Sequence, residues 1–450
     1  MRRITRAATA AAAGLAVAVS VASVAGRGRA PAGQPPAAAA ADQAAARRSP
    51  GPGDRVPARA LSRGVVRAYA FLSQMMNRYA TGPTPRLVQS FTGGPLGREH
   101  DTSSDVYDDA LIIDAYLAAG TRAGRSRAEV IGNALLYAQA HDPRRDGRLR
   151  AAYAPVPLLG PGSVKITDAA TPAGDMAWAG QALAQLYGAT GIRRYLRGAE
   201  AIGNWVQAHC YDPRGAGGYT GGEAASGQKI EWKSTEHNID LYGLFSLLAA
   251  QTRDPVWAAR ATAARRFIKS MWDPAQGAFD VGTIADGVAP NETEPPEDIN
   301  SWSYLALRDP VYGASVTWNV LNLTVSAGGF AGVSYCSADR SGVWFEGTAH
   351  LADALETRDE PGDEALAARY LADLYYAQAH GPDGDGGGIM AASKNGLSDC
   401  AGGLFYTSLH TGATAWYILA ARRVDPFLPI SPRRPAATHR ERPDSDRDRG

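Results

Sequence analysis

Ser234-Thr235-Glu236-His237-Asn238-Ile239-Asp240 crowds a glutamate, a histidine, an asparagine and an aspartate into little more than one helical turn, directly before the apolar run Leu241 to Ala250. Ser234 or Thr235 suits an N-cap, and Glu236 suits the positive end of the helix that follows. Glu236 and Asp240, four apart, share a face. Comparable starts occur at Tyr107-Asp108-Asp109-Ala110, Gly174-Asp175-Met176-Ala177-Trp178, Asn300-Ser301-Trp302-Ser303-Tyr304, Val343-Trp344-Phe345-Glu346-Gly347-Thr348 and His410-Thr411-Gly412-Ala413, most of them after a Gly/Pro-rich loop. With Asp108, Asp175, Asn238, Trp302, Glu346 and His410 as markers, the steps are 67, 63, 64, 44 and 64 residues. One such unit is a helical hairpin with its loops, too small to bury its own apolar face.

Two kinds of helix alternate. Leu61 to Tyr79, Ala128 to Ala140, Arg194 to His209, Trp257 to Met271 and Glu364 to Ala379 are amphipathic, with one wet side. Ala110 to Leu117, Ala177 to Leu186, Leu241 to Ala250 and Thr414 to Ala420 are apolar nearly all round, the pattern of a buried helix. Asp142-Pro143, Asp212-Pro213 and Asp273-Pro274 end outer helices, because proline cannot continue the ladder and restricts its predecessor. The expected fold is all-α, an (α/α)6 toroid of six helical hairpins with an outer and an inner ring. The fourth unit is the irregular one, with an outer helix expected at Val316 to Val325 and Trp318 and Leu321 inward. Strand signal is confined to short pieces near Phe279 to Ile284 and Val333 to Tyr335.

The ends of the 450-residue chain read differently. Arg2, Arg3 and Arg6, an apolar stretch from Ala8 to Val21 and Ser23-Val24-Ala25 mark residues 1–25 as an export signal, by general or twin-arginine secretion. Residues 26–56 are an Ala/Pro-rich linker, 57–430 the toroid, and 431–450 a charged tail. A secreted monomer follows, with no membrane anchor once the signal is removed. Net charge is +1 and no basic face is interleaved with aromatics, which argues against nucleic acid. Cys336 and Cys400 precede the inner helices of consecutive hairpins and are expected to pair, leaving Cys210 as a small buried residue.

The loops that enter the inner helices lie on one face of the ring, so their first turns converge. Asp108, Asp175, Glu236, Asp240 and Glu346 are the candidate catalytic acids, and Tyr107, Trp178, His237, Trp302, Trp344 and His410 the candidate substrate contacts. Aromatic rings offer apolar faces to sugars and carboxylates accept from hydroxyls. Cleaving a glycosidic bond needs one protonated carboxyl and one carboxylate, and crowding is what keeps an acid protonated near neutrality. No second histidine stands at ligand spacing from His237, so neither metal nor cofactor is expected. Gly381 to Gly388 lacks the Lys and Ser/Thr of a phosphate loop, and no Gly-x-Ser-x-Gly elbow occurs.

Thr235-Glu236-His237-Asn238-Ile239-Asp240, Trp344-Phe345-Glu346-Gly347-Thr348-Ala349 and the alternating helices from Leu61 to Leu428 resemble the six-hairpin glycosidase superfamily, in particular secreted bacterial members. The resemblance implies the toroid and a carbohydrate substrate, though hydrolases, lyases, epimerases and phosphorylases share that fold. The expectation is a secreted glycoside hydrolase with Glu236 as general acid and Glu346 or Asp108 as base, Asp175 and Asp240 supporting. A polysaccharide lyase and a non-catalytic cell-wall sugar binder are the alternatives.

Overall fold

The computed structural model describes residues 58–98, 102–293 and 295–430. The expected leader, linker and tail lie outside the described residues. The helices are α1 (Ala58–Met76), a short α2 (Gly94–Arg98), α3 (Val106–Ala118), α4 (Arg122–Ala140), α5 (Ala173–Thr190), α6 (Arg193–Cys210), α7 (Thr235–Thr252), α8 (Pro255–Ser270), α9 (Glu297–Leu307), α10 (Gly313–Leu323), α11 (Phe345–Arg358), α12 (Asp363–His380) and α13 (Thr411–Ala421). The inner helices (α3, α5, α7, α9, α11 and α13) each touch the next, and α13 returns to α3, which closes an inner ring. Every residue of α3 and of α9 is buried. The amphipathic helices α4, α6, α8, α10 and α12 pack outside, and α1 takes the sixth outer place against α12 and α13. The last hairpin therefore joins the two ends of the fold.

Inner helices pass to outer ones by tight turns. Gly191, Arg253, Arg308 and Asp359 each cap an inner helix in the left-handed conformation (φ 69°, 60°, 47° and 57°), donating their N–H to the last turn. Outer helices return through long loops, and these loops build one face. Short antiparallel strand pairs recur in them, far more widely than the two pieces expected from sequence. His410 pairs with both Phe91 and Ile389, which ties the first loop to the last.

A repeated pin fixes each loop to its helix. The fourth residue of all six inner helices accepts a backbone N–H from the preceding loop. The pairs are Val88 N to Asp109 Oδ1 (2.9 Å), Leu149 N to Met176 Sδ (3.1 Å), Tyr219 N to Asn238 Oδ1 (2.9 Å), Phe279 N to Asn300 Oδ1 (3.0 Å), Val333 N to Thr348 Oγ1 (3.1 Å) and Ile389 N to Thr414 Oγ1 (2.8 Å). Each bond satisfies a buried backbone donor.

α10 begins earlier than expected, at Gly313, and its inward residues differ. Leu321 is exposed and Trp318 only half-buried. Asn319 takes the inner place, donating to Glu297 O (2.7 Å) and Glu297 Oε1 (3.1 Å), because Glu297 must be satisfied from behind. Cys336 and Cys400 form a disulfide with Cα atoms 6.5 Å apart, and Cys210 is buried and free. The bond spans 64 residues of sequence and staples two loops of the same face. Reduction, or the Cys336→Ser/Cys400→Ser pair, is expected to lower unfolding stability by about 2–4 kcal/mol. Calorimetric scans with and without reductant check this, and coincident scans would contradict it.

Candidate active site

The fourth-residue pins align the six helix starts, and a layered arrangement follows. Residues four apart lie on one helix face. At the second position stand Tyr107, Gly174, Glu236, Asp298, Glu346 and Gly412, and at the sixth Leu111, Trp178, Asp240, Trp302, His350 and Trp416. Contacts between helices that are not neighbours in the ring place this stripe on the axis. Tyr107 donates its hydroxyl to Glu346 Oε1 (2.7 Å) and receives the Trp416 indole N–H (2.9 Å). Trp178 meets Trp302 and Trp416 with ring centroids 5.3 and 5.9 Å apart, and Trp302 stacks on Trp416 at 5.8 Å. The indoles form a floor and the carboxyls lie above it. Below the floor the C-terminal strap closes the ring. Phe427 packs 5.2 Å from Trp178, and Gln185 Nε2 donates to Leu428 O (2.7 Å).

Trp178, Trp302 and Trp344 were expected to stack on substrate. All three are at most 1 % exposed, with their faces taken by one another, by Tyr107 and by Tyr335 and Phe405. They are packing first, because large rings contribute most when buried. The half-buried aromatic beside the pit is Trp232, 5.7 Å from the His237 ring, which sequence reasoning passed over. Gly347 leaves room for the chain's own Trp344 ring and Glu297 Oε2 rather than for a ligand.

Two groups of acids occupy the pit. In the first, His410 Nε2 lies 3.1 Å from both oxygens of Asp108, and His410 Nδ1 lies 3.2 Å from Glu346 Oε2. The Ala413 N–H also approaches Nδ1 (3.3 Å), a weak cap that a protonated ring gives up in favour of the carboxylate. Burial opposes charge on His410, but Asp108 and Glu346 outweigh it and raise its pKa to about 10. His350 continues the chain, with Nδ1 3.1 Å from Glu297 Oε2 and Nε2 3.8 Å from Glu346 Oε1. Glu297 is held further by Ser301 and Asn319.

The second group is Glu236, Asp240 and Asp298, with Asp175 half-buried at its edge. Ser234 caps α7 by accepting from His237 N (3.3 Å) and so sets the turn that carries Glu236. Burial first, then Asp298, Asp240, Asp175 and Glu346, holds the Glu236 pKa well above the ordinary carboxyl range. Asp240 is raised by burial and then by Asp298 and Asp175. Asp298 is pushed up to about 7, by burial and then by Glu346, while accepting from Ile299 N (2.7 Å). His237 is kept neutral by burial, with its pKa lowered to about 4. Glu236 Oε2, Asp298 Oδ2, both Asp240 oxygens and His237 Nδ1 are buried without a completed hydrogen bond.

Sequence reasoning missed Glu297 and Asp298, because it started the fourth inner helix at Asn300, beside the conspicuous Trp302, three residues late. Pro295-Pro296-Glu297-Asp298, proline followed by an acidic first turn, was the available signal. Gly174 and Gly412 mark close helix approaches. A Cβ at Gly174 would lie 2.7 Å from His237 Cδ2 and 3.1 Å from Asp240 Oδ2, and one at Gly412 would overlap Asp108 Oδ1 and the His410 ring. Gly412→Ala should therefore part Asp108 from His410 and cost about 1–3 kcal/mol. Urea unfolding of this variant against Gly396→Ala, which meets no neighbour but carries the strain of positive φ, separates overlap from backbone strain.

The ring of six hairpins around an acid-lined pit defines an (α/α)6 toroid. No protein-family profile matches the sequence and no curated protein is detectably similar. Solved structures do share the fold. Cellobiose 2-epimerase from Bacillus thermoamylovorans matches with TM-score 0.61 at 11% identity, over 81% of this chain and 98% of that one. D-mannose isomerase matches with TM-score 0.59 at 13% identity, over 80% and 95%. A family 76 glycoside hydrolase from a bovine Bacteroides thetaiotaomicron strain matches with TM-score 0.56 at 13% identity, over 81% and 76%. The likeness is one of fold, the (α/α)6 toroid. Among the described residues no helix is long and apolar enough to cross a membrane.

Proposed function

We propose that this chain is an exported glycoside hydrolase acting on an oligo- or polysaccharide. Glu236 is the general acid and Asp298 the base. The observation that carries the reading is the position of these two carboxyls, at the same level on neighbouring inner helices, buried and each with an oxygen free of protein partners. Glu236 keeps its proton at neutral pH and gives it to the leaving glycosidic oxygen. Asp298, with a pKa of about 7, takes the proton of the attacking water. Glu346 and Asp108, the bases expected from sequence, are engaged with Tyr107 and His410 and serve better as the charged wall that positions them. The Cys336–Cys400 disulfide fits an oxidising compartment outside the cytosol. Incubation with glucans, mannans and cell-wall glycans should release reducing ends, and a folded preparation inactive on all of them overturns the reading.

Sugar isomerisation or epimerisation is a second reading, favoured by His237. The His237 imidazole is buried with Nδ1 unpartnered, so a ring nitrogen is left for a substrate hydroxyl or carbonyl, while burial, which lowers its pKa to about 4, makes it a weak base. Proton NMR of free mannose and cellobiose after incubation would reveal a ketose or an epimer. A lyase has less support, because burial and Glu346 raise the Tyr107 pKa well above its usual value and make it a poor base.

A further inference from the structure

The ring closes between its first and last hairpins, and the outer helices at that seam, α1 and α4, leave a groove. Two cavities lie along it, of about 620 and 540 Å³, within the span of about 300–1,000 Å³ usual for small-ligand sites. Val65 and Tyr69 of α1 and Tyr116 of α3 line the first, Asn77 and Asn133 the second, and Arg127 of α4 lines both, so the two adjoin. Three arginines stand on these walls, Arg422 in the first cavity, Arg86 in the second and Arg127 between them. Glu129 is the one carboxylate on either lining. Arg86, Arg148 and Lys233 are the arginine and lysine side chains buried among the described residues. Arg148 has Asp146 and Glu223, and Lys233 has Asp212. Arg86 has only neutral acceptors, Met76 O (2.6 Å), Gly82 O (3.1 Å), Thr84 O (2.7 Å) and Asn77 Oδ1 (3.0 Å), so its charge is uncancelled. Arg127 lies 5.9 Å from the centre of the Tyr116 ring and has no hydrogen-bond or ion-pair partner among the described residues. Arg422 donates Nε–H to Ala118 O (2.9 Å), which leaves both Nη groups for a ligand.

We infer that the groove between α1 and α4 holds uronic-acid units of a glycan, outside the pit. The planar guanidinium fork matches a carboxylate with two parallel bonds, and arginines strung along one groove suit a chain that carries one carboxylate per sugar. The half-buried Tyr69 and the exposed Val66 offer apolar surface to sugar rings. The side-chain oxygen of Asn77 is taken by Arg86 and that of Asn133 by Arg194 and Tyr195, so their NH2 groups face outward as donors for sugar hydroxyls. The chain's own ends do not suit the groove. Residues 26–57 carry five arginines against two aspartates, and residues 431–450 carry six against four acidic residues, so both bring more positive charge to a positive wall. The pit is an equally poor place for a uronate, because Glu236, Asp240 and Asp298 crowd it with acids. Groove and pit therefore take different units of one polymer, acidic units in the groove and neutral ones at the cut.

The division of one polymer between groove and pit rests on the hydrolytic reading; the groove's preference for a carboxylate does not. The test is calorimetric titration of the whole chain with oligogalacturonate, with a neutral mannan oligosaccharide and with a phosphomannan, all of matched length, at low and at high salt. Oligogalacturonate should bind roughly tenfold tighter than the neutral oligosaccharide, the worth of one charge-assisted pair, and high salt should shrink the difference. The Arg127→Gln/Arg422→Gln pair should erase that advantage while the thermal midpoint holds, and Glu236→Gln, which alters only the pit, should keep it. Equal affinity for the acidic and neutral chains, no galacturonate binding, or an advantage that survives the double variant, as binding by the arginine-rich ends would, overturns the inference. Phosphomannan held more tightly than galacturonate through the same arginines overturns the choice of a uronate. Digestion separates the two claims. Reducing ends released from neutral mannan with no galacturonate held defeat the groove and leave the hydrolase standing. Galacturonate held through Arg127 and Arg422 with no glycan cut does the reverse.

Discussion

Glu236→Gln will lower turnover by about two to four orders of magnitude, the range lost when a positioned general acid is removed. Fold stability at pH 7 will be unchanged or higher. The sign follows from the pKa. A carboxyl whose folded pKa lies above its unfolded value favours the folded state only below the unfolded value, and that contribution is lost as pH rises through the folded pKa. Glu236 is such a group, raised first by burial and then by Asp298, Asp240, Asp175 and Glu346. Near neutrality it costs stability, and the isosteric amide removes that cost without a cavity. Activity lost with the thermal midpoint kept is the signature of a catalytic site under strain. Reducing-end assays and differential scanning calorimetry on the same preparation measure both. Turnover within tenfold of wild type would move the acid role elsewhere, with Asp298 next in line. If wild type itself binds glycans without cleaving them and Glu236→Gln binds equally well, the chain is a binder rather than an enzyme.

The ring was legible in the sequence, but its register was not. Alternation of wet and dry helices, with Asp-Pro stops, suffices to read hairpins. The conspicuous markers, however, fall at different structural positions. Asp108 and Asp175 are third residues of their helices, Asn238 is a fourth, Trp302 a sixth, Glu346 a second and His410 a cap. The feature that aligns the helices is the loop pin at the fourth position, which asks only for an acceptor. Asp109, Met176, Asn238, Asn300, Thr348 and Thr414 all meet that demand with different chemistry, so no repeat in residue type betrays it. The converging acids were readable for the same reason as the helices, since charge at a helix start is a local signal. The indole floor was not, because Trp178 and Trp302 look the same in sequence whether they face a sugar or one another. The two-residue strands are also silent, being too short for any alternation to develop.

His410→Gln is the substitution with the largest expected effect on stability. His410 is the one cation between Asp108 and Glu346, at 3.1 and 3.2 Å, in a site where each partner is at most 3 % exposed. Removing it leaves two buried carboxylates facing each other across the gap, and breaking a buried pair in this way costs on the order of 3–5 kcal/mol. The same geometry fixes the pH dependence. The folded pKa of about 10 lies above the ordinary 6.5 of histidine, so the stabilisation is complete below pH 6.5 and is lost as pH rises toward 10. Asp298, raised to about 7, adds to the decline with the same sign, its contribution being lost as pH rises from the usual carboxyl range through 7. His237 works in the opposite direction and at lower pH. Its folded pKa of about 4 means that the folded state gives up stability as pH falls below 6.5. Wild-type thermal midpoints should therefore fall steadily between pH 6.5 and 10. In His410→Gln the profile should start lower and run flatter over that interval, because the group that loses its proton there is gone. A wild-type midpoint that does not change from pH 6.5 to 10, or a variant as steep as wild type, would mean that His410 is not the buried cation that holds Asp108 to Glu346.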